Sequence, residues 1–133
     1  MNKSRIGLLA VVIVAVALLG GLMLGRSGRS ELEQQRRTAQ LGLDLERARV
    51  SILHGRLELF GSNFGAASQQ FDRARGPLQS AHESLTADDR DADAARVAAA
   101  LTAITEAQQL ALALKQEADG KATEALKGLD GIQ

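Results

Sequence analysis

Residues 60–85 read FGSNFGAASQQFDRARGPLQSAHESL, and their punctuation decides the fold. Phe60-Gly61-Ser62-Asn63 is a break between helices. Gly61 suits a left-handed C-cap, and Ser62 or Asn63 suits the N-cap of the next helix. After it, Phe64, Ala67, Phe71, Ala74, Leu78, Ala81 and Leu85 recur every three or four residues, the period of one helix face. Gly76-Pro77 falls inside that run. Proline removes a backbone hydrogen bond, but the apolar phase continues across it, which predicts a kink rather than an end. A second helix over 63–86 follows.

Upstream, a helix over about 31–60 carries two apolar rows. Ala39, Leu43, Val50, Leu53, Leu57 and Phe60 form a 3–4 seam that Arg36 and Glu46 interrupt, and Leu41, Leu45, Ala48, Ile52 and Leu59 form a second row beside it. So wide an apolar surface needs more than one neighbour, which suits a bundle or hairpin better than a simple two-stranded coiled coil. With the small residues of the following helix, Leu53, Leu57, Phe60, Phe64, Ala67, Phe71 and Ala74 are the expected core of the first hairpin. Downstream, Thr86–Asp91 reads as a loop. A third helix over 91–118 packs through Val97, Leu101, Ile104, Ala107, Ala111 and Leu114. Asp119-Gly120 stops it, and a short fourth helix over 121–129 turns Ala122, Ala125, Leu126 and Leu129 inward. Gly128 and Gly131 predict a frayed end.

Residues 1–5 are a short tail and residues 6–24, IGLLAVVIVAVALLGGLML, hold no polar side chain. At about 1.5 Å rise per residue this run matches the thickness of a hydrocarbon core. Secretory signal peptides carry a shorter apolar region closed by a small-residue cleavage site. Here the A-x-A match, Ala15-Val16-Ala17, lies mid-run, so the reading is an uncleaved anchor. Lys and Arg flank both sides, so charge alone does not set the orientation. The short tail before the run predicts a bacterial inner-membrane signal anchor with the bulk of the chain on the periplasmic side. Residues 25–30 read as a polar hinge, with Ser30 capping the next helix. Ala17, Gly21 and Gly25 lie four apart, a small-residue row that permits close helix–helix contact in lipid. The seam of the first long helix could extend such a dimer as a parallel coil, in competition with the hairpin for apolar surface.

The stretch Ser62-Asn63-Phe64-Gly65-Ala66-Ala67, then Phe71 and Ala74, resembles the second helix of a tetratricopeptide-type hairpin, and Gly55 falls where the first helix of that pattern carries its glycine. Gly120–Ala125 with Leu129 repeats the turn-and-helix part. The large aromatic early in the first helix is absent, Pro77 comes two residues early, and Ala67 to Ala125 is longer than one repeat of about 34 residues. The resemblance implies a hairpin shape and, by analogy, protein–protein binding.

Composition narrows the function. Beyond residue 25 the chain has 14 basic and 16 acidic residues, and its aromatics are Phe60, Phe64 and Phe71 alone. A nucleic-acid surface calls for an excess of basic residues, so none is expected. Cysteine is absent, which excludes disulfides and thiolate metal sites. His54 and His82 lack partners at ligand spacing, and Asp88, Asp89, Asp91 and Asp93 lack the glycine and distal glutamate of a calcium loop. No nucleophile elbow or phosphate loop surrounds any serine. The expectation is an all-α protein with no catalytic residue, metal or cofactor: an N-terminal transmembrane helix followed by antiparallel helical hairpins over 31–133. It would act as an envelope scaffold or adaptor for a protein partner or its own copy. A membrane-proximal sensory bundle and a coiled-coil subunit of a division or secretion complex are the alternatives.

Overall fold

Three turns of one design order the helices. The computed structural model describes residues 3–133, with side chains from Gly28 onward. Its helices are α1 (Lys3–Phe60), α2 (Phe64–Ala87), α3 (Asp91–Leu112) and α4 (Ala118–Leu129), and no strand occurs among the described residues. After each of α1, α2 and α3 one residue takes the left-handed conformation: Ser62, Asp89 and Leu114, with φ of 57°, 55° and 56°. The next amide then reaches back five residues, from Asn63 to the Glu58 carbonyl, Arg90 to Leu85 and Lys115 to Leu110, at 2.8–2.9 Å. That is the Schellman closure, which satisfies the orphan carbonyls of a helix end. The left-handed residue of the first turn is thus Ser62, not Gly61 as expected. Asn63 is the N-cap of α2, accepting from the Ala66 amide at 3.4 Å.

The chain divides into two compact units, Met1–Arg37 and Thr38–Gln133. The second is an all-α bundle. Turns this short make successive helices antiparallel. Its core joins Leu41, Leu45, Ile52 and Leu59 of α1 to Phe71, Leu78 and Leu85 of α2, Val97 and Ile104 of α3, and Leu129 of α4. Alanine fills much of the rest, so the helices approach closely. One tight contact is at Gly55, where a Cβ would stand 2.4 Å from Cε1 of Phe71. Only a hydrogen fits there. Pro77 sits inside α2 without ending it.

Three boundaries differ from expectation. α1 runs unbroken through 25–30, where composition predicts a hinge. Gly28 costs a helix only about 1 kcal/mol, and the Arg and Glu residues around it are good helix formers. α3 ends at Leu112, and Asp119-Gly120 lies in the first turn of α4 rather than at a stop. An acid in that turn suits the helix dipole, and Asp119 also pairs with Arg56 of α1 at 2.6 Å. The C-terminal end is held rather than frayed. Arg49 donates to the Leu129 carbonyl at 2.6 Å, Arg96 to the Asp130 carbonyl and Arg90 to the Gln133 carbonyl at 2.7 Å, while Ile132 is buried. Gly128 lies 3.6–3.8 Å (measured from an added Cβ) from the Arg96 carbonyl and Ala100 of α3.

The apolar run 6–24 and its row Ala17, Gly21 and Gly25 lie outside the residues whose side chains are described. Among the described residues no helix is long and apolar enough to cross a membrane.

Candidate functional site

The two apolar rows of α1 meet opposite fates. At 100° per residue they lie on nearly opposite sides of the helix rather than side by side as the one wide surface expected above. The row Leu41, Leu45, Ala48, Ile52 and Leu59, completed by Gly55, faces the bundle and is buried. The row Leu43, Val50, Leu53, Leu57 and Phe60 faces solvent. Of the expected hairpin core, Ala67, Phe71 and Ala74 are fully buried and Phe64 packs against the core from its edge. Leu53, Leu57 and Phe60 are not core residues: they are 50%, 66% and 73% exposed. The seam carries Glu46, whose burial without a partner would cost several kcal/mol, whereas the one ionisable side chain buried on the bundle side of α1, Asp44, has partners in Ser80 and Gln40.

The exposed row lies between two polar borders. On one side Arg49 and Arg56 reach over to α4. Arg49 also pairs with Glu46, and Arg56 closes on Asp119 with a second contact at 3.4 Å. On the other side stand the exposed Arg47 and His54. Behind Arg47, Asp44 is only 4% exposed yet satisfied. It accepts from the Ser80 hydroxyl of α2 at 2.7 Å and from Gln40 at 3.1 Å, and Arg47 stands 3.9 Å away. A buried carboxylate with such partners fixes how α1 sits on α2. Ser80 gave no sequence signal for this role. At the tip where α1 and α3 end, Leu112 and Leu114 add exposed apolar side chains.

Elsewhere the polar groups tie helices together. Gln108 of α3 donates to Asp72 of α2 at 3.2 Å. Lys121 of α4 bridges Glu106 of α3 at 2.8 Å and Glu124 at 3.1 Å. The Glu106 and then the Glu124 hydrogen bonds hold its ammonium above the usual lysine range. His54 lies on α1 and His82 on α2, and among the described residues no three His, Cys, Asp or Glu side chains gather as a metal site. An open groove of about 360 Å³ runs between Thr38, Gly42 and Leu45 of α1 and Ile132 at the chain's end, with the Glu46–Arg49 pair at its rim. What this surface offers is apolar contact along one helix, framed by arginine. Compared with known proteins, the chain matches no family model, no curated protein and no solved structure.

Proposed function

We propose that the protein is a non-catalytic scaffold or adaptor of the bacterial cell envelope. Residues 6–24 anchor it in the inner membrane as a single pass, with the bundle on the periplasmic side. The solvent-facing row of α1 docks another protein chain. One observation carries this reading: five large apolar side chains in a row stand about half or more exposed on a helix whose other apolar row is buried. An exposed apolar row bordered by polar residues is the pattern of an interaction site. The tetratricopeptide-like stretch of α2 supplies rigid backing, because Phe71 locks against Gly55 directly behind the row.

The test is a photo-reactive amino acid placed at Leu53 of the full-length protein in cells, with the same probe at exposed Gln69 of α2 as a control. The expected result is a discrete cross-linked protein species from position 53 and none from 69, in membranes that retain the protein after alkaline washing. No adduct at 53 would remove the docking reading. Release by the alkaline wash would remove the anchor.

A further inference from the structure

We infer that the occupant of the exposed α1 row is the same row of a second copy, paired in parallel as a two-stranded coiled coil. The inference rests on the anchored-scaffold reading above, since anchors in one membrane bring two copies together side by side and in register. Three observations support it.

The first is the period. Leu43, Val50 and Leu57 are seven residues apart, and so are Ala39, Glu46, Leu53 and Phe60. Together they alternate four and three, the a/d spacing of a left-handed coiled coil, over about three heptads. Such a row needs a partner helix of the same period, and an identical chain supplies it at every layer. Leu32, seven residues before Ala39, keeps the same register and is also exposed. The structure removes the expected competition with the hairpin, because the bundle uses the other row and leaves this one free.

The second is charge. Glu46 is the polar member of the described a/d layers between Ala39 and Phe60. In a parallel pair the residue following a d position flanks the partner's d side chain. Here that residue is Arg47, whose side chain is exposed and whose link to Asp44 is long. Each Glu46 would lie between Arg49 of its own chain and Arg47 of the other copy, so the two glutamates are neutralised rather than opposed.

The third is area. The five exposed apolar side chains offer on the order of 500 Å² per copy, and with the flanking Arg47, Arg49 and His54 the pair reaches the roughly 1,200 Å² at which specific interfaces begin.

The chain has no cysteine, so single cysteines report contact cleanly. They are placed at Val50, Leu53, Leu57 and control Gln69 in the full-length chain in native membranes and oxidised. Facing a and d positions of a parallel pair fall within disulfide reach. The expected result is dimer formation at 50, 53 and 57 and none at 69, with Arg47→Glu lowering the yield at 53 several-fold. A urea midpoint unchanged by each substitution shows that the bundle is intact. No disulfide at any of the three, or self-pairing at only one of them as an antiparallel pair gives, overturns the inference. If the photo-reactive probe at Leu53 still captures a different protein in that case, docking through α1 stands and only the second copy is lost.

Discussion

Replacing Gly55 by alanine probes the contact on which the α1–α2 pairing depends. The added methyl would stand 2.4, 2.8 and 3.0 Å from three ring carbons of Phe71. Carbon atoms rest at about 3.5–4.0 Å, so ring or helix must move by about 1 Å. Phe71 is fully buried in the core, where close packing resists displacement of its ring. Overpacking of this size costs about 1–3 kcal/mol. Alanine also gains about 1 kcal/mol over glycine as a helix former, so the net loss is near 1 kcal/mol. Gly42 supplies the control. It lies in the same helix, and a Cβ there would meet nothing within 4 Å. Gly42→Ala should therefore stabilise by about 1 kcal/mol. The helix-propensity gain is common to both, so their difference isolates the Phe71 contact at about 1–3 kcal/mol. Urea unfolding of each variant, followed by far-ultraviolet circular dichroism at constant slope, measures it. Equal midpoints for the two variants would refute the close packing of α1 on Phe71.

Three further outcomes follow from burial and backbone geometry. Phe71→Ala should lower stability by about 3–5 kcal/mol, while Phe60→Ala, at an exposed ring, should change it by less than about 0.5 kcal/mol. Equal losses in thermal melts would contradict the assignment of the two rings. Leu114→Gly should raise stability by about 1 kcal/mol, because leucine there holds a left-handed conformation that glycine adopts freely. A lower melting temperature would mean that its side chain makes a stabilising contact. Ile132→Ala should cost about 2–4 kcal/mol and Arg49→Ala about 1–2 kcal/mol. Wild-type urea midpoints for both would show that the segment after α4 is not part of the bundle.

Much of this architecture was legible in the residues. Asn63 and the Asp88–Asp91 cluster place the first two turns within a residue or two. The single unbroken row of α2, Ala67 to Leu85, leaves one choice of inner face. The row of α1 that faces inward was harder. Both rows repeat every three or four residues, and spacing alone cannot choose between them. One row runs through Gly55 without a charge and the other contains Glu46, but Asp44, buried beside the inward row, shows that a charge alone does not mark the outward face. The end of α3 was hidden because leucines at 112 and 114 continue an apolar pattern that the left-handed turn at Leu114 leaves in solvent. The arginine clamps on the carbonyls after α4 could not be read at all. They join residues 34 to 83 positions apart, and long polar side chains carry no periodic signal.

Helix α1 folds with one row and, in the proposal above, docks with the other, so its neighbouring positions Ile52 and Leu53 should behave oppositely. Thiol labelling of single cysteines at these two positions, in the full-length chain in native membranes, reads that difference. A cysteine at 52 should stay protected until the bundle unfolds. A cysteine at 53 should be protected in the membrane and label rapidly once detergent dilution separates the copies. Rapid labelling at 53 in intact membranes, or labelling at 52 in the folded protein, would overturn the division of α1 into a folding row and a docking row.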